Sequence, residues 1–218
     1  MSIAVAIADD QPLVRAGLRM IIDASDDVHV VAEASTGRDA IDAVRRAGPE
    51  VVLMDIRMPD TDGIEATRQI TTSGPARVLI LTTFDLDEYV YGALQAGASG
   101  FLLKDVGPEQ LIDGIKTVAG GESLLAPSVT TRLIEQVIKS QQHAPVPRAI
   151  EELTPRELEI FKLVAGGLSN AEIADQLVLS AATVKTHVTR ILTNLTLRDR
   201  VQGVVLAYET AIVRPGAS

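Results

Sequence analysis

In the stretch "VVLMDIRMPDTDG", Val51–Gly63, four apolar residues run straight into the carboxylate of Asp55. A short continuous apolar run of this kind suits a strand buried on both faces, the environment of a parallel sheet. Pro59, Asp60, Asp62 and Gly63 then supply turn chemistry, so the strand stops at the charge. An aspartate in that place is either a turn or helix-capping residue, or a group that a rigid element holds out for chemistry.

On either side the chain alternates β-branched runs with amphipathic patterns. Strands are predicted over Ile3–Ala8, His29–Ala34, Val51–Met54, Val78–Thr82 and Gly100–Leu103, and helices over Leu13–Ile22, Arg38–Ala47, Ile64–Ile70, Glu88–Ala96 and Pro108–Ala119. Gly48-Pro49, Gly74-Pro75 and Gly97 stop helices where the chain has to turn back. Such alternation predicts an α/β fold: a flavodoxin-like, doubly wound, five-stranded parallel sheet with strand order 2-1-3-4-5.

Past "AGGES", Ala119–Ser123, the apolar periodicity of Val129–Ile138 predicts one more helix, and the polar, proline-containing Lys139–Glu152 reads as a linker. The remainder predicts a small all-α domain. Thr154, Pro155 and Glu157 combine an N-cap, a first-turn proline and a capping box, and Ser169 with Glu172 repeats the box. Gly166-Gly167 stops the first helix, Leu177–Ser180 connects tightly to a helix from Ala181, and a last helix covers Arg200–Ala211. The expected domains are 1–121, a linker segment over 122–152 that includes the extra helix, and 153–218.

The 218 residues are 46% hydrophobic, enough for real cores, and contain no cysteine, which excludes disulfides and thiolate metal sites. No apolar run approaches the roughly 20 residues of a membrane span, and Met1–Ala8 lacks a signal-peptide pattern, so we expect a soluble, cytoplasmic protein without membrane contact. The net charge of −9 argues against a polyanionic partner only until its distribution is considered. Residues 1–121 hold ten basic and nineteen acidic side chains, whereas residues 122–218 hold ten of each. Within residues 181–200, Lys185, Arg190, Arg198 and Arg200 stand against Asp199 alone, a basic strip on a small helical domain.

Ligands of an open parallel sheet collect beyond the carboxyl ends of its strands, at the switch in strand order. Asp9 and Asp10 follow the first strand and Asp55 ends the third, its neighbour in the expected order, so three carboxylates converge. Their repulsion calls for a cation, and oxygen-only ligands favour Mg²⁺. Thr82 and Lys104 come to the same edge, and a hydroxyl and an ammonium facing a metal and a carboxylate suit a phosphoryl group. Asp55 would be the nucleophile that forms an acyl phosphate. A phosphohydrolase built on the same nucleophile would need a general acid two residues later, where Arg57 stands.

Residues 1–121 resemble the receiver domain of bacterial response regulators, through "ADD" at 8–10, "LMDIRMPDTDG" at 53–63, "LT" at 81–82 and "GFLLK" at 100–104. The resemblance implies that Asp55 is the phosphoacceptor and that Asp9, Asp10, Asp55 and the backbone carbonyl of Arg57 hold the metal. It also implies that Thr82 and Phe101 form a switch pair and that Lys104 contacts the phosphate. Asp105 stands where many receivers have proline.

In the helix from Ala181, Val184, Val188, Ile191, Leu192 and Leu195 recur at core spacing, while Lys185, Thr186, Thr189, Arg190 and Thr193 share the opposite face. A short helix, a tight turn and a second helix with an outward basic, hydroxyl-rich face describe a helix-turn-helix that enters a major groove; the alternative is a solvated helix in a protein-binding bundle. "LTPRELEIFKLVAGGLSNAEIADQLVLSAATVKTHVTRIL", 153–192, is similar to the LuxR-type DNA-binding domain, so the whole chain resembles the NarL/FixJ subfamily. That resemblance implies Lys185, Thr186 and Thr189 against bases, with Ser180, Thr183 and Arg190 near phosphates. Thr196 stands where glycine or asparagine is common, and a positive φ there would strain a threonine. Val201, Val204, Val205 and Tyr208 form a stripe on the last helix, which either closes the core or serves the dimerisation found in the family. Implied partners are a sensor histidine kinase, promoter DNA bearing an inverted repeat, a second copy on phosphorylation, and RNA polymerase.

Overall fold

The computed structural model describes residues 2–82, 87–122 and 147–213. The chain divides into two compact units, Met1–Ala126 and Pro127–Ser218. The helix expected over Val129–Ile138 lies outside the described residues.

In the first unit, β1 (Ile3–Ala8), β2 (Val28–Ala34), β3 (Val51–Asp55), β4 (Arg77–Thr82) and β5 (Gly100–Leu103) form one parallel sheet ordered β2-β1-β3-β4-β5. The helices are α1 (Pro12–Asp23), α2 (Gly37–Ala47), α3 (Gly63–Ser73), α4 (Asp87–Gln95) and α5 (Pro108–Ala119). Alternate residues Val5, Ile7, Val51, Leu53, Leu79 and Leu81 face a core with Ile22 of α1 and with Leu111, Ile115 and Val118 of α5. The residues between them, Ala6, Val52, Met54, Val78 and Ile80, are buried too. A sheet covered on both sides is why the strands read as continuous apolar runs.

Two differences from the sequence reading have local causes. The α3 helix continues past Ile70 to Ser73 because Thr72 Oγ1 donates to Arg68 O at 2.7 Å and Ser73 Oγ to Gln69 O at 2.7 Å, tying poor helix formers to the last turn. The β3 strand extends to include Asp55, which pairs in register with Leu81.

The second unit contains α6 (Arg148–Glu151), α7 (Pro155–Ala165), α8 (Asn170–Leu177), α9 (Ala181–Asn194) and α10 (Arg200–Glu209). Ile150, Ile160, Phe161, Val164, Ile173, Val184, Val188, Ile191 and Ala207 form its core. Ile150 is buried in that core, so packed structure begins inside the segment expected to be linker. Both capping boxes form: Thr154 N donates to Glu157 Oε2 at 3.0 Å and Ser169 N to Glu172 Oε2 at 2.7 Å, each answered by the glutamate's own N–H. The last helix stops at Glu209 rather than at Ala211, because Ala211 turns left-handed (φ 55°) and Ile212 N closes back on Ala207 O at 3.0 Å.

Candidate functional site

The register of the first unit builds one cluster from three strands. Ala8 pairs with Met54, so Asp9 leaves β1 beside Asp55 at the end of β3. Thr82 O, at the end of β4, accepts from Lys104 N at 2.8 Å, which starts the loop after β5 over the same edge. Asp9 is 1% exposed and Asp55 5%, while Asp10 sits at the exposed rim; one carboxylate oxygen of each lies within 4.8 Å of the others. Lys104 Nζ lies 2.6 Å from Asp9 Oδ2 and 2.9 Å from Asp55 Oδ2.

Burial pushes the Asp55 carboxyl above the usual carboxylate range, against the opposing pull of Lys104, and Asp9 adds to the upward push. For Lys104, burial works against the charge, but its contacts with Asp9 and Asp55 outweigh that, so the ammonium is held protonated. Asp9 Oδ2 is buried and receives no aligned hydrogen bond among the described residues, so its approach to Lys104 is an ionic contact. Three acids against one ammonium, their oxygens within 4.8 Å of one another, fit a hard divalent cation that keeps some of its water.

Neighbouring residues hold the cluster in shape. Arg15 of α1 donates from Nη1 to Asp9 O at 2.8 Å, with its Nε 3.6 Å from Glu33 of β2, and Gln11 N donates to Asp9 Oδ1 at 2.8 Å. After β3 the chain doubles back so tightly that a Cβ on Gly63 would lie 1.9 Å from Asp55 O. One on Gly37, at the start of α2, would lie 2.2 Å from Thr61 O. Only glycine allows these approaches. Asp62 caps α3 by accepting from Glu65 N at 2.8 Å, so this aspartate of the loop after β3 has a structural task. The Arg57 guanidinium lies 5.5 Å from the centroid of the Tyr89 ring in α4, and Phe101 is buried.

In the second unit, α8, a three-residue connection (178–180) that opens on left-handed Val178 (φ 54°), and α9 make a helix-turn-helix. Val184, Val188 and Ile191 of α9 are buried, and Thr183, Lys185, Thr186, Thr189, Arg190 and Thr193 are exposed. Ser180 caps α9, accepting from Thr183 N at 3.0 Å. Arg190 Nε lies 3.4 Å from Oε1 of Glu157, the buried member of the first capping box. Hydrogen bonds from Thr154, helped by the charges of Arg190 and His187, hold the Glu157 carboxyl below its usual range.

The family model of the response regulator receiver domain matches residues 5–116, and that of bacterial regulatory proteins of the luxR family matches residues 151–207. The transcriptional regulatory protein YxjL of Bacillus subtilis is 44% identical, over 97% of this chain and 98% of its own length. This chain belongs to the LuxR-type response regulators. The response regulator protein VraR of Staphylococcus aureus is 37% identical over 98% of this chain and all of its own length. The crystal structure of the response regulator ChrA of a heme-sensing two-component system matches with a TM-score of 0.54 and 40% identity, over 97% of this chain and 99% of that one.

The fold of this response regulator therefore gathers Asp9, Asp10, Asp55 and Lys104 at one place, with Thr82 at the end of the adjacent strand. Sequence reasoning missed Arg15, Gly37 and the Glu157–Arg190 pair. Gly37 stands just outside the helix predicted from Arg38 and carries no signal of its own, and an arginine seven residues before a buried apolar residue is indistinguishable from a solvated one. Val201, Val204, Val205 and Tyr208, expected either to close the core or to serve dimerisation, are all buried at 8% exposure or less. They present no open face here, since a stripe in a sequence looks the same whether it meets a core or a second chain.

Proposed function

We propose that this two-component response regulator takes a phosphoryl group from a sensor histidine kinase onto Asp55 and thereby gains affinity for promoter DNA. One observation carries the reading: Asp55, at the buried end of β3, shares Lys104 with Asp9 inside a three-carboxylate cluster. An Asp55 oxygen attacks phosphorus, the bond from phosphorus to the kinase imidazole breaks, and the imidazole takes up a proton as it leaves. Lys104 and the Thr82 hydroxyl bind the transferred oxygens. Asp9, Asp10, Asp55 and the Arg57 carbonyl would hold Mg²⁺, which neutralises charge on the phosphoryl oxygens. Water later hydrolyses the acyl phosphate slowly, and this self-dephosphorylation is the only turnover we assign.

In this reading Thr82 and Phe101 shift when the phosphoryl group arrives and change the surface around α4 and α5. A dimer then sets two α9 helices about one DNA turn, roughly 34 Å, apart on an inverted repeat, where Lys185, Thr186 and Thr189 meet bases and Ser180, Thr183 and Arg190 meet phosphates. Contact through Val201, Val204, Val205 and Tyr208 requires those side chains to become exposed first. RNA polymerase at the same promoter, in the cytoplasm, is the further partner. No helix among the described residues is long and apolar enough to cross a membrane.

The test is intact mass and oligomeric state after incubation with Mg²⁺ and acetyl phosphate. One added phosphoryl mass with dimerisation, both absent in Asp55→Asn, is the expected result. An unchanged mass in the wild-type protein overturns the reading.

A further inference from the structure

Three exposed threonines of α9 have their hydroxyl protons engaged. Thr186 Oγ1 donates to Ala182 O at 3.0 Å, Thr189 Oγ1 to Lys185 O at 2.9 Å and Thr193 Oγ1 to Thr189 O at 2.9 Å. The side chains stand in solvent, yet each hydroxyl is turned back onto its own helix. A hydroxyl has one proton, so what these residues offer outward is an acceptor oxygen and a methyl group. Ala181 and Ala182 add two more exposed methyl groups at the N-terminal end of the helix, the end that approaches base edges in a major groove.

Base pairs differ in the groove by these same features. An A·T pair presents the adenine N6 amino donor and the thymine C5 methyl, whereas a G·C pair presents two guanine acceptors and the cytosine N4 donor without a methyl. An acceptor-and-methyl surface complements A·T in both respects and G·C in one. It has no proton for guanine O6 or N7, so contact with guanine falls to the ammonium of Lys185. We propose that α9 selects half-sites in which A·T pairs, sensed through thymine methyl groups by Ala182, Thr186 and Thr189, flank a G·C pair contacted by Lys185. The proposal rests on the assignment of α9 to the groove and names the class of sequence it reads.

The full-length protein, with and without Mg²⁺ and acetyl phosphate, would select duplexes from a random-sequence library. The enriched duplex would then be remade with uracil in place of each half-site thymine, which removes the C5 methyl and leaves the pairing intact. The expected motif has A·T pairs beside a G·C pair, and uracil at the contacted positions weakens binding about fourfold each, the loss that one buried carbon implies. Thr186→Ser keeps a hydroxyl that can bond to the helix but lacks the methyl, so it should bind thymine and uracil duplexes alike at its position; Thr186→Val should keep the uracil penalty. Both changes lie on an exposed face and leave the core untouched. Equal affinity of wild type for thymine and uracil duplexes overturns the proposal while leaving DNA binding in place, as does a motif without A·T pairs at those positions. Failure to enrich any duplex overturns it together with the assignment of α9 to the groove.

Discussion

Asp55 sits in a place that costs stability, and the cost is measurable. Its carboxyl lies above its ordinary value of 3.8 because burial penalises the charge. Below that value the carboxyl is neutral in both folded and unfolded chains, and no penalty exists. As pH rises through the folded value, the native state has to hold a charge the unfolded chain holds more easily, and stability falls. Asp55→Asn should therefore melt higher than wild type at neutral pH in metal-free buffer, with the gap closing toward pH 3. Added Mg²⁺ should raise the wild-type melting temperature by mass action and raise the variant less; calorimetry checks both, and a variant that melts lower at every pH would refute the argument. Arg15 offers a separate test, because it fixes the backbone of Asp9. Arg15→Lys keeps the charge but shortens the reach, and the loss of about 1 kcal/mol of hydrogen bonding should weaken Mg²⁺ binding about fivefold by isothermal titration. The acids, Thr82 and Lys104 were legible because each ends a strand. Arg15 was not, since nothing in a sequence says which exposed arginine folds back onto a carbonyl.

At the level of elements, residues that satisfy backbone groups locally marked boundaries well, and left-handed residues without glycine marked them poorly. Thr154 and Ser169 open α7 and α8 as their sequence pattern requires, and Thr154→Ala should cost about 1 kcal/mol in chemical denaturation of the second unit. The last helix was read two residues too long because nothing marks Ala211 as left-handed, and the tight connection read at Leu177–Ser180 gave no sign that Val178 would be left-handed. Both residues take φ near 55°, a conformation that their side chains disfavour and that a glycine would have announced in the sequence. Thr196 is the one such position suspected from sequence, and its φ is 56°. Replacing it by glycine removes a penalty of roughly 1–2 kcal/mol and loses part of that to chain entropy, so Thr196→Gly should stabilise the second unit by about 0.5–1 kcal/mol. A loss of stability instead would mean that the threonine side chain contributes more to packing than its backbone costs. The order of the sheet was legible at this scale too, because alternating strands and helices admit few right-handed arrangements.

Across the whole molecule, one unit carries the acid cluster and the other α9, the helix we assign to the groove, so the proposed regulation requires a free-energy coupling between them. Such a coupling is reciprocal for equilibrium binding. A non-covalent phosphoryl mimic such as beryllofluoride, bound with Mg²⁺ at Asp55, makes the reciprocity testable where a slowly hydrolysed acyl phosphate would not. Suppose the mimic tightens binding of a selected duplex tenfold; then the same duplex must tighten the mimic tenfold, equivalent to about 1.4 kcal/mol. Fluorescence anisotropy of labelled duplex with and without the mimic gives the first factor. Titration of the mimic with and without saturating duplex, at the same protein concentration so that dimerisation enters both alike, gives the second. We expect equal factors above one, and a factor of one in both directions for Asp55→Asn. Unequal factors would mean that a further equilibrium, such as dimerisation, enters the two titrations differently. Factors of one in the wild type would leave a phosphoacceptor and a DNA-binding helix on one chain with no thermodynamic link, and control would then rest on changes in protein concentration.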